Sequence, residues 1–196
     1  MTNAMAAVHP PLLCHDSRRG VLALAGGRRT VLAVLLRCTA RLLKLLGDRS
    51  GVIVDADPRG DDWYANVFSI ERRKCLLLVH ADTLFPILDV DVRVAQLNDL
   101  GFYAARLVVD ALASEGLAGT ALGPTDPSAV RVARTASRSM LGHMNEMTFE
   151  AQHLVAYDGG LQHADLDAVN RRLRRGLHGR GGDYVVPLEL AAARSA

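Results

Sequence analysis

Apolar positions along this chain follow three rhythms: unbroken runs, strict alternation, and spacing by three and four. Val31 to Arg37 is an unbroken run of β-branched residues, Leu and Ala closed by one Arg, which predicts a buried strand. Thr39 is placed to cap a short helix from Ala40 to Leu46, and Gly47 stops it. Arg49 to Asp62 reads as a polar loop. Trp63 to Ile70 alternates as a strand does, Arg72-Arg73 makes a tight turn, and Cys75 to His80 completes a hairpin. Leu84 to Val92 predicts a further strand, and Pro86 places it at an edge or a bend.

Helical spacing takes over after Val94. Val94, Leu97, Ala104, Ala105, Val108 and Leu112 keep one face as far as Glu115, before Gly116 ends the helix. Gly119 to Ser128 is a Gly/Pro loop, and Val130 to Ala133 predicts a short strand feeding a helix that begins near Ser137. A last helix over Asp165 to Arg175 has acids in its first turn and arginines in its last, as the helix dipole favours. Strands come in neighbouring runs and helices follow. The expected class is therefore α+β, a small, mostly antiparallel sheet packed against three to four helices. Residues 1–29 lack either periodicity and read as a disordered tail. Residues 30–176 read as one domain, and 177–196 as a C-terminal tail in which Tyr184 to Leu188 form a short strand.

Composition narrows this picture. Apolar residues make up 49% and aromatic ones 5%, so the core is built from Leu, Val and Ala. A net charge of +2 conceals uneven placement: Ser17 to Ser50 holds eight basic residues against Asp48 alone, and Ala168 to Gly182 holds five Arg and no acid. Both blocks suit an anionic partner, although an Arg- and Ala-rich composition accounts for them as well. Cys14, Cys38 and Cys75 have neither metal-ligand nor redox spacing, which predicts free thiols in a reducing cytoplasm. The apolar stretch after Ser17-Arg18-Arg19 is too short for an export signal. No run approaches the ~18 residues of a membrane span, so no membrane contact is expected.

On the helix after Ser137, the residues Met140, Leu141, Met144, Met147, Ala151, Leu154 and Val155 share the core sector. Arg138, Gly142, Asn145 and Phe149 group on another side, and a mid-helix Gly often marks a close approach. Ser137 and Ser139 stand where free N–H groups favour an anion. The functional reading is a small anion site with Asn145 orienting the ligand; the structural one is a cap, an ion pair and a packing notch.

Arg37-Cys38-Thr39, Trp63-Tyr64-Ala65-Asn66, the Lys74 to Thr83 strand and the stretch Ser137 to Asn145 (SRSMLGHMN) resemble, as a set, a family of small bacterial domains of unknown function. In that family R-C-T, W-Y-A-N and R-S-x-L-G-x-M-N pieces recur in this order. The likeness spans roughly residues 31–158 and implies an intracellular bacterial domain. It carries no known activity, so no catalytic residue transfers. It does single out Arg37, Trp63, Asn66, Arg138 and Asn145 as the ligand-binding residues to examine.

Other constellations add little. Glu150 and His153 have the spacing of a carboxylate-bridged metal helix, but no second such pair occurs. Asp89 and Asp91 alternate on a strand without the Gly-Ser loop of nucleotidyl transfer, and Asp55, Asp57, Asp61 and Asp62 lack the spacing of a calcium loop. Neither a metal nor a cofactor is expected, and no catalytic residue is assigned. Cys38, at a helix start, is either an activated thiol or a packed one. One of Trp63 and Tyr64 is expected to face out; Trp63 is either a core residue or an exposed ring that, near Arg72 and Arg73, would stack a base. Two functional readings follow. The first is a non-catalytic binding module whose basic surface (Arg37, Arg72, Arg73, Arg138) meets nucleic acid, a nucleotide or an acidic protein. The alternative is a small enzyme acting on an anionic substrate near Arg37, Trp63 and Arg138, with Cys38 or the Ser137/Ser139 pair at the chemistry. Oligomeric state is left open.

Overall fold

The computed structural model describes residues Val34–Ser195. The expected tail over residues 1–29 lies outside the described residues. Within them the order is β1 (Val34–Cys38), α1 (Ala40–Leu46), β2 (Trp63–Ile70), β3 (Arg73–His80), β4 (Pro86–Val90), α2 (Leu100–Ser114), β5 (Val130–Arg134), α3 (Arg138–Tyr157), α4 (Leu166–Arg175), β6 (His178–Arg180), β7 (Asp183–Val185) and α5 (Pro187–Ser195). Short 3-10 turns cover Gly47–Ser50, Val94–Asp99 and Pro127–Ala129.

The class is α+β, as the pattern predicts, but the sheet is mixed rather than mostly antiparallel. Its strand order is β4-β3-β2-β1-β5. β2–β3 and β3–β4 are antiparallel, whereas β1 runs parallel to both β2 and β5. Neighbouring strand runs look like hairpins in sequence, yet α1 and the loop to Asp62 form a crossover that returns the chain in the same direction. β6 and β7 make a separate two-stranded ribbon.

Both faces of the sheet are covered. Leu36, Trp63, Ala65, Val67, Leu76 and Leu78 point to one core, shared with Leu42 and Leu46 of α1, Tyr103 and Leu112 of α2, and Ala191 of α5. Tyr64, Phe68, Cys75, Leu77 and Val79 point to the other, shared with Met140, Met144, Met147, Ala151 and Val155 of α3 and Val169 and Leu173 of α4. This second list is the predicted core sector of α3, with Leu141 and Leu154 at its half-buried margin.

Two-sided cover corrects the expectation that Trp63 or Tyr64 faces out: both are buried, on opposite faces. Alternation sorts the two rings between cores, not between core and water. Three further differences are local. Glu71 and Arg72, at positive φ, make the hairpin turn in place of Arg72-Arg73. The predicted helix from Val94 to Glu115 is divided because Asp99 accepts the Phe102 N–H and caps a new start. Residues 177–195 carry β6, β7 and α5, where only a short strand was expected, and Ala191 is fully buried.

Candidate functional site

Among the residues singled out by sequence, Arg37 is the most constrained. It is one of the chain's buried charges, and its guanidinium is almost saturated. Nε donates to Asp62 Oδ2 at 2.5 Å, Nη1 to Arg134 O at 3.3 Å, and Nη2 to Ala56 O and Asp57 O at 2.9 and 2.6 Å. Four acceptors on one five-donor fork leave almost nothing for a ligand. Arg37 therefore ties the crossover loop over β1, and Val54 continues that tie by donating to Val132 O on β5 at 2.8 Å.

The remaining four do not gather around it. Arg37 registers with Tyr64, so the two side chains share a face and Trp63 lies on the other. Trp63 packs edge-on against the buried His80 ring, with centroids 5.1 Å apart. Asn66 is half-buried and accepts a 2.9 Å hydrogen bond from Thr39 Oγ1, while that hydroxyl also caps α1 through Leu42 N. Arg138 and Asn145 are exposed on the outer side of α3. Seven residues of helix separate them, about 10 Å. Gly142 lies between them, and a Cβ there would meet nothing within 4 Å, so no neighbour within the described fold uses the notch. Ser137 is the α3 cap, accepting from Met140 N at 3.2 Å.

The chemistry proposed around Cys38 loses its basis. The thiol is fully buried, and that burial pushes its pKa up to about 12, away from the thiolate a nucleophile needs. Asp89 and Asp91 are engaged separately: Tyr103 Oη donates to Asp89, and Arg73 pairs with Asp91 at 3.7 Å. Among the described residues, no group of three or more His, Cys, Asp or Glu side chains could hold a metal ion.

What the structure assembles instead is a groove that the sequence reading passed over. Arg41, Lys44 and Leu45 of α1, at i, i+3 and i+4, share one side of the helix. They face the β2–β3 hairpin, where Val67, Ser69 and Lys74 stand on the same sheet face and Ser69 registers opposite Lys74. Together with Phe68 these residues line a groove of about 380 Å³. Arg41, Lys44 and Lys74 are all exposed, and none has an ion-pair partner among the described residues. Among the described residues, no carboxylate lines the groove. The chain contains only two lysines, and both are here. That scarcity was the available signal, but contact between α1 and the hairpin tip follows from the fold and not from residue spacing. The arginines of α4, by contrast, are answered: Arg171 by Asp165, Arg172 by Asp158, and Arg174 and Arg175 by Glu115.

Residues 35–190 match the family described as Domain of unknown function (DUF6933). The chain belongs to the DUF6933 family. The match runs from β1 into the first turn of α5, so the groove and all five sequence-selected residues fall within the DUF6933 domain. No curated protein matches the chain. Among the described residues, no helix is long and apolar enough to cross a membrane.

Proposed function

We propose that this DUF6933 chain is a non-catalytic binding module that holds an anionic partner in the groove between α1 and the β2–β3 hairpin. The observation that carries this reading is three exposed cations converging on one concavity with no acid in its lining among the described residues. A protein that used these charges only for solubility would gain as much from scattering them, and convergence raises the local potential for an anion. Arg72, exposed at the hairpin turn and unpaired among the described residues, extends the cationic rim. The enzymatic alternative has weaker support, because Arg37 is saturated by the crossover loop and Cys38 is a buried, protonated thiol. Buried free thiols at Cys38 and Cys75 support a reducing compartment, the cytoplasm, as the site of action.

The experiment is thermal unfolding of the full chain with inorganic polyphosphate, a single-stranded oligonucleotide and polyglutamate, each at low and high salt. A stabilisation that fades with salt and disappears in Arg41→Ser/Lys44→Ser/Lys74→Ser supports the reading. A stabilisation that survives the triple change moves the site elsewhere and refutes it.

A further inference from the structure

The groove's lining is more specific than its charge. A ligand that meets only the three cations would leave Leu45, half-buried on α1, facing water between them. Val67, buried in the core, closes the bottom of the hollow, and the aliphatic stems of Arg41, Lys44 and Lys74 extend the apolar floor. The question is which anion brings apolar groups alongside its charges.

Nucleic acid does so through its bases, and binding modules meet those bases with aromatic faces. The groove offers no such face. Phe68 turns its ring into the opposite core, and the exposed aromatics Phe102, Phe149, Tyr157 and Tyr184 belong to α2, α3 and β7. A compact phosphate is also a poor match, since it needs converging fixed donors, and these three cations sit on long flexible stems around an open hollow. A polypeptide supplies both requirements. In an extended segment alternate side chains point to opposite sides, and nearby residues can carry carboxylates to a rim and an aliphatic group to a floor. The cations flank the floor from both sides: Arg41 and Lys44 from the helix, Lys74 from the hairpin.

Resting on the anion-binding reading above, we infer that the partner is an acidic stretch of polypeptide carrying Asp or Glu beside an aliphatic side chain. Arg41, Lys44 and Lys74 take its carboxylates, and Leu45 and Val67 take its apolar residue.

Both lysines of the chain lie in the groove, so the test can be read chemically. The full chain is mixed with an N-acetylated peptide alternating Glu and Leu, with an all-Glu peptide of equal charge, or with oligothymidylate. Binding is followed by fluorescence anisotropy of labelled probes. A water-soluble carbodiimide then activates carboxylates, and an adjacent lysine amine displaces the urea to form an amide. Among the described residues the groove contains no carboxylate of its own, and an adduct at Lys44 or Lys74 that carries the mass of the peptide reports the contact. The Glu-Leu peptide is expected to couple at both lysines and to bind about tenfold more tightly than the all-Glu peptide, the effect of burying most of one Leu side chain. Equal affinity for the two peptides, or preference for oligothymidylate with loss of binding in the Arg41/Lys44/Lys74 serine variant, overturns the peptide assignment and leaves the anion groove standing. If no probe binds and none couples at either lysine, both readings fall.

Discussion

Arg37 shows how a residue with the marks of a ligand-binding group can be spent on the fold. Its acceptors lie 19 to 97 positions away in sequence, so nothing local announces that they meet. Asp62 is fully buried beside it, with Arg59 N also donating to Oδ2 at 2.9 Å. Removing the guanidinium leaves the buried carboxylate to Arg59 alone, through its N–H and its partly exposed side chain at 3.5 Å, and Arg37→Met is expected to lower unfolding free energy by about 2–4 kcal/mol in urea titration. Gly142 predicts the opposite sign. Its Cβ position is open, so Gly142→Ala should stabilise α3 by about 0.5–1 kcal/mol. A loss there would point to a tight approach that the described residues do not make. His80 sets the acid limit. Burial, reinforced by Arg194, lowers its pKa from 6.5 to about 4, and Nδ1 is engaged by the Thr83 hydroxyl at 3.0 Å. The folded state therefore binds fewer protons than the unfolded state between these values. Stability from this residue is complete above pH 6.5 and is lost as pH falls through 4, by about 3 kcal/mol in all. His143, also lowered by burial, acts in the same direction, so His80→Gln should flatten the stability–pH curve in that window without abolishing its slope.

At the scale of elements, the chain was most legible where the signal is local. Thr39 and Ser137 cap α1 and α3 where their side chains suggested, Asp165 caps α4 where a first-turn acid was expected, and Pro86 opens an edge strand. Strand direction was not legible, because the parallel partners of β1 are chosen by packing across the whole chain. The edge at β4 shows the same limit. Asn170 of α4 accepts from Leu88 N at 2.8 Å and donates to Leu88 O at 2.9 Å, so a side-chain amide occupies the place of a further strand. Arg174 adds a bond to Pro86 O and lies over the Phe85 ring. A lone Asn on an arginine-rich helix gives no hint of this role. Asn170→Leu should cost roughly 1–3 kcal/mol for each stranded Leu88 group and open the edge to strand pairing between molecules. Analytical ultracentrifugation would then show self-association that rises with concentration; a monomer of unchanged stability would mean that the amide is dispensable.

For the whole molecule, charge is arranged rather than merely abundant. The four arginines of α4, conspicuous in sequence, are paired with Glu115, Asp158 and Asp165, Glu115 taking two of them, and Arg180 and Arg194 converge on Asp82. Arg41 and Lys44, two members of the basic block Ser17 to Ser50, are joined by the distant Lys74, and the three are left together and unanswered among the described residues. The candidate site was thus illegible for the reason that makes it a site: its charges come from two elements brought together only by the fold. The most direct test is the reactivity of the two lysine amines toward an acylating reagent, read residue by residue by mass spectrometry with and without polyglutamate. Lys44 and Lys74 should react readily in the free protein and both be protected when the polyanion is present, with protection fading at high salt. Unchanged labelling of both lysines under conditions where the polyanion binds would contradict the anion-groove reading.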